Sequence, residues 1–253
     1  MRILSFLALA LLSLYALACL ALWLMQHSLI YFPQPRRFGD PASVIEMKVP
    51  GAQLVVSARR VSGPDAVIYF GGNAEDVSGS LPSLEAAFPS HALYLPHYRG
   101  YGGSSGKPSE AALFADALAI FDQLRTTHPN ITLIGRSLGS GVALHVASLR
   151  TAARLVLVTP YDSIAELAGQ QFPFVPVRYL LSDKFESWRF APAVKVPTTI
   201  IAASHDEVIP MASTRRLLSR FTPGVATFVV VDQAGHNTIS TRPEYAALLS
   251  GKR

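Results

Sequence analysis

The 253-residue sequence predicts an α/β domain with a mostly parallel central sheet, helices on both faces and a small cap, preceded by one membrane-spanning helix. Three observations predict it. Short apolar runs alternate with helical stretches between residues 46 and 231, the pattern of a parallel sheet built by helical crossovers. Residues 131–148 pass from a buried strand straight into a helix through Gly135-Arg136-Ser137-Leu138-Gly139. Finally, Ile3 to Met25 hold no charged residue.

As a helix, Ile3 to Met25 spans ~35 Å, enough for a bilayer core of ~30 Å. Only Ser5, Ser13, Tyr15 and Cys19 interrupt its hydrocarbon character. Residues 1–26 are therefore read as a transmembrane anchor and 27–253 as the domain, so a single-pass membrane location is expected. The rival is a cleaved signal peptide ending at the small-x-small run Ala16-Leu17-Ala18, with a lipid on Cys19 as a variant of it. Against both, the apolar run continues to Met25, and the charged region before it is only the amino terminus and Arg2. Orientation stays open, because Arg2 and the amino group flank one side while Arg36 and Arg37 flank the other.

The domain starts with strands near Glu46 to Val49 and at Gln53 to Arg60. A third, Ala66 to Phe70, ends in the small-residue turn Gly71-Gly72-Asn73-Ala74. A helical stretch containing Leu84, Ala87 and Phe88 leads to a strand at His91 to Leu95. Glu110 to Thr126 reads as a helix with Leu113, Ala117, Ile120 and Leu124 at helical spacing. The strand Ile131 to Ile134, the helix Leu138 to Ser148 and the strand Arg154 to Thr159 follow. Between Tyr161 and Pro192 the run Phe172-Pro173-Phe174-Val175-Pro176 breaks helical continuity. A segment this short allows only a small cap, so the expected site is shallow or open, suited to a chain entering from the side. Thr198 to Ala203 and Thr227 to Val231 are the last strands. With half its residues hydrophobic, a chain of this length fills one core.

The chemistry is read from three strand exits. A serine between a strand and a helix in a Gly-x-Ser-x-Gly turn is held in strained geometry with its hydroxyl over the sheet edge, and side chains at Gly135 or Gly139 would collide there. Two later strands end in Ser204-His205-Asp206-Glu207 and in Asp232-Gln233-Ala234-Gly235-His236. Ends of parallel strands lie side by side, so Ser137, Asp206 and His236 are expected to meet. His236 would take the serine proton and return it to the leaving group; Asp206 would hold the imidazole tautomer and stabilise its cation. Glu207 and Asp232 compete with Asp206, which lies nearer its strand end than Glu207; Asp232 suits a turn. The amides of Asn73 and Leu138 are the candidate oxyanion donors. In the plainer reading, Ser137 starts a helix and His236 sits in a turn.

The Gly-Asn-Ala turn, the run Tyr98-Arg99-Gly100-Tyr101-Gly102-Gly103-Ser104-Ser105-Gly106, the Gly-Arg-Ser-Leu-Gly elbow, Asp206-Glu207-Val208-Ile209-Pro210 and Gly235-His236-Asn237 together resemble the Bem46-like branch of the α/β-hydrolase superfamily, which includes the ABHD13-like and ABHD17-like serine hydrolases. The resemblance implies Ser137, Asp206 and His236 as triad and the Asn73 amide in the oxyanion hole. Two positions depart from the pattern. Gly71 stands where many such hydrolases carry a histidine, which leaves the backbone donor intact. Pro160-Tyr161-Asp162-Ser163 is more polar than usual; Asp162 and Ser163 read as helix caps, with Glu166 completing a capping box.

A formal charge of +5, spread along the chain with no dense basic run, does not fit nucleic-acid binding. Cys19 is the only cysteine, which excludes an intrachain disulfide, and the histidines show no metal-ligand spacing. With no dinucleotide glycine fingerprint either, no metal or cofactor is expected. The reading is a membrane-anchored serine hydrolase that cleaves an ester or thioester of a small-molecule or lipid-like acyl substrate. An acyltransferase or serine peptidase using the same residues, or a binding module without chemistry, are the alternatives, and the oligomeric state is open.

Overall fold

A computed structural model describes residues 2–40 and 43–251; the Met1 amino group, counted above as a flanking charge, lies outside them. Eight strands form one sheet in the order β1-β2-β4-β3-β5-β6-β7-β8. The hairpin of β1 (Val44–Val49) and β2 (Ala52–Arg59) and the pairing of β2 with β4 (Ala92–Pro96) are antiparallel. From β4 onward through β3 (Asp65–Phe70), β5 (Asn130–Arg136), β6 (Arg154–Val158), β7 (Thr198–Ala203) and β8 (Ala226–Val231), every pairing is parallel. Phe70 is level with Gly135 and Ala203 with Val231, so the turns after these strands open along one edge.

The helices are α1 (Arg2–Ile30), α2 (Leu81–Ala87), α3 (Glu110–Arg125), α4 (Leu138–Leu149), α5 (Ile164–Gln171), α6 (Val177–Leu180), α7 (Met211–Leu218) and α8 (Tyr245–Ser250). Strand alternation divides the core in two. Ala66, Ile68 and Phe70 of β3 pack with Leu113 and Phe121 of α3 and Val142 of α4. Val67 and Tyr69, one residue out of phase, pack with Leu84 of α2 and Leu249 of α8 on the opposite face. Burying each large apolar side chain contributes about 1.5–3 kcal/mol. Ser109 starts α3 by accepting the Ala112 amide at 3.2 Å, which explains why that helix begins where the sequence places it.

The cap consists of α5, α6 and the short turns up to Ala193. Ser163 caps α5 by accepting the Glu166 amide at 3.3 Å. Asp162 does something other than cap. Its carboxylate accepts from the Ser213 hydroxyl and Arg216 Nε, both at 2.5 Å, tying the start of the cap to α7. It also takes the Ser163 amide at 3.0 Å, the donor that Glu166 would hold in a full capping box.

The first helix continues beyond the apolar run to Ile30, and it is long and apolar enough to cross a membrane. From Tyr15 onward it is docked on the cap. Tyr15 donates its hydroxyl to the Phe174 carbonyl at 2.9 Å, Gln26 Oε1 accepts the Ser182 amide at 2.7 Å, and just past the helix Tyr31 donates to Asp183 at 2.8 Å. Gln26, polar in an apolar helix, is buried because it has that partner.

Candidate active site

Ser137 occupies the turn between β5 and α4 with φ 49° and ψ −118°, a conformation L-residues rarely adopt. Two glycines make this turn possible. A Cβ on Gly135 would strike the backbone of Gly139 and Ser140, and one on Gly139 would strike the carbonyls of Phe70 and Gly71. The first turn of α4 thus lies directly on the ends of β3 and β5.

Ser137, Asp206 and His236 come together. His236 Nε2 is 2.9 Å from Ser137 Oγ, and His236 Nδ1 is 3.0 Å from each oxygen of Asp206. His236 is buried. Asp206 is held from behind by the amides of Val208 and Ile209, which donate to its Oδ1 at 3.0 and 2.7 Å. Of the two competing carboxylates, Asp232 is exposed and away from this line, whereas Glu207 touches the histidine by another route: its Oε2 accepts the His236 amide at 3.0 Å. That contact, and not the imidazole, is what Glu207 serves. A serine hydrogen-bonded to an imidazole whose other nitrogen faces a carboxylate can be deprotonated as it attacks a carbonyl carbon.

Asn73 and Leu138 line the same cavity as Ser137. As first residue of α4, Leu138 has an amide with no intrahelical acceptor. The Asn73 side chain fixes its own turn, accepting from the amides of Phe32 and Ala74 at 3.0 Å and from Tyr101 Oη at 3.1 Å. Tyr98 donates to the Gly71 carbonyl at 2.8 Å. These contacts explain the Tyr98–Gly106 run: its two tyrosines buttress the turn after β3.

Sequence reading missed one pair. Arg136, beside Ser137, lies 2.9 Å from Glu75 Oε2, and that oxygen also accepts the Gly72 amide at 2.6 Å. Glu75 Oε1 takes hydrogen bonds from Tyr69 and Ser80 at 2.8 and 2.7 Å. Arg136 further donates to the His236 carbonyl at 3.3 Å and to Asn237 Oδ1 at 3.2 Å. Burial alone would raise the Glu75 carboxyl, but the Arg136 charge and these donors outweigh it and leave it below the usual range. Burial likewise pulls Arg136 down, and the Glu75 charge reverses this and carries it upward. One buried ion pair thereby joins the turn after β3, the Ser137 turn and the His236 turn. Among the described residues no group of three His, Cys, Asp or Glu side chains converges as a metal set.

A strand-to-helix serine turn on a mostly parallel eight-stranded sheet, with acid and histidine at the exits of later strands, defines an α/β-hydrolase fold. Residues 66–187 match the family model described as alpha/beta hydrolase fold. An uncharacterised protein of Mycobacterium tuberculosis is 34% identical over 238 residues, covering 85% of this chain and 82% of that one. The α/β-hydrolase domain-containing protein 17C of Xenopus laevis is 36% identical over 186 residues, covering 71% of this chain and 58% of the relative, so the match spans little more than half of that protein. The chain belongs to the α/β-hydrolase family, on the ABHD17-like side of it. Among solved structures, the Pyrococcus furiosus esterase Pf2001 superposes with a TM-score of 0.70 over 88% of this chain and 96% of its own, at 16% identity, a likeness of fold.

Proposed function

We propose that the protein is a membrane-anchored serine hydrolase that cleaves carboxylic esters or thioesters through an acyl-enzyme. The observation that carries this reading is the unbroken run of hydrogen-bonding contacts from Ser137 Oγ through His236 to Asp206. In the first step Ser137 Oγ bonds to the acyl carbon as His236 Nε2 takes its proton. The carbon–heteroatom bond then breaks, and His236 returns the proton to the departing alcohol or thiol. Water repeats the sequence in reverse, releasing the acid and the free serine. Asn73 and Leu138 donate their backbone amides to the oxyanion. The long apolar α1 supports anchoring to a bilayer, and the esterases among its structural relatives support acyl transfer to water.

The test is hydrolysis of p-nitrophenyl acyl esters and labelling by a fluorophosphonate. Ser137→Ala should abolish labelling and lower turnover by several powers of ten, leaving ~10³-fold over water. A Ser137→Ala protein that still labels would overturn the assignment.

A further inference from the structure

The cavity above Ser137 has a volume of about 430 Å³, within the range of small-molecule sites, and its walls are mainly apolar. The cap alone does not enclose it. One wall is α1 itself, through Leu22, Trp23, Gln26, Leu29 and Ile30, a single stripe at helical spacing. The shallow site expected from so short a cap is deepened by the membrane helix.

Three further observations fix the direction of this channel. The C-terminal end of α1 meets the oxyanion turn, where the Phe32 amide donates to Asn73 Oδ1. Leu22 lies eight residues back along the helix, ~12 Å away. Tyr15, bonded to Phe174, lies ten residues before Met25, ~15 Å along the axis, so a helix whose apolar run fills the bilayer core carries the cap into the nearer leaflet. Phe174, whose carbonyl Tyr15 reaches, and Tyr179 of the same cap are both 86% exposed, which is costly in water and suited to a lipid boundary.

The geometry points to a bilayer lipid ester as substrate, its acyl chain lying along α1 from Ser137 toward Leu22. This inference rests on the proposed acyl hydrolysis and adds the substrate class and the element that selects it. A lipid in a bilayer already has this polarity, ester at the surface and tail toward the core, so it enters sideways without leaving the membrane. At ~1.25 Å per methylene, from C–C bonds of ~1.5 Å, the channel takes about ten carbons.

The test uses the full chain in phospholipid nanodiscs and an alkyl fluorophosphonate of ten carbons with a terminal diazirine. Ser137 Oγ bonds to phosphorus as the P–F bond breaks and fluoride leaves, which tethers the chain; irradiation then marks what its end touches. Crosslinks should fall within Leu22–Ile30. In parallel, kcat/KM for acyl esters should rise about fourfold per methylene up to about ten carbons and then level off. Leu22→Trp should move that levelling to shorter chains, whereas Leu24→Trp, off the stripe, should not. Tethering at Ser137 with crosslinks only outside α1, or a profile that Leu22→Trp and Leu24→Trp change alike, overturns the inference while leaving the hydrolase reading intact. Failure to tether at Ser137 overturns both.

Discussion

Removing the Arg136 guanidinium beside Ser137 should cost more than removing both charges of its ion pair. In Arg136→Met, Glu75 keeps the Gly72 amide and the hydroxyls of Tyr69 and Ser80 but loses, in a buried site, the only ion-pair partner it has among the described residues. An uncompensated buried charge of this kind costs about 3–5 kcal/mol. For a chain of this size each kcal/mol moves Tm by about 2–4 °C, so the fall should be roughly 6–20 °C. Adding Glu75→Gln removes the stranded charge, and the double variant should recover at least half of the loss, a coupling within the range for contacting residues. Thermal unfolding of the three variants and the parent protein in one detergent, followed by tryptophan fluorescence, measures this cycle. Losses that simply add would refute the claim that the pair acts as a unit. Fluorophosphonate labelling of Arg136→Met should also slow, because the same side chain holds the His236 carbonyl.

Asp206→Asn should lower turnover by about 10⁴ while leaving Tm nearly unchanged, whereas exposed Asp232→Asn should alter neither; equal losses in the two would misplace the acid. Glu207→Gln should fall between them, since an amide oxygen can still accept the His236 N–H, and a loss as large as that of Asp206→Asn would give Glu207 the acid's role. The folded Glu75 carboxyl lies below its ordinary range, so its stabilising contribution is full above the ~4.3 of an unfolded glutamate and is lost as pH falls through the lower folded value. The Tm difference between the parent protein and Glu75→Gln should therefore shrink below about pH 4.3; a difference constant from pH 6 to pH 3 contradicts this.

Much of the fold was legible because its signals are local. Each parallel strand is a short apolar run closed by a turn, and β7 starts and ends where the sequence puts it. Ser137, Asp206 and His236 were each marked by a strand exit within a few residues. What escaped the sequence depends on distant pairing. Arg136 and Glu75 are 61 residues apart, and the elbow pattern leaves Arg136 as a free position. Asp162 was misread because a carboxylate that begins a helix and one that holds an arginine look alike until α7 is placed beside it. The short helices α7 and α8 span too few turns to show a period. An apolar helix reads as an anchor whatever else it touches, so the wall that α1 gives the cavity left no mark in its composition.

The proposed acyl-enzyme on Ser137 can be trapped. The full chain is mixed with a slowly deacylating ester, quenched in acid within the first turnover, digested and analysed by mass spectrometry. One acyl group should appear on Ser137, forming at the rate of alcohol release and absent from Ser137→Ala. An acyl group on another residue, or alcohol released at the full rate with no modified Ser137, would contradict it.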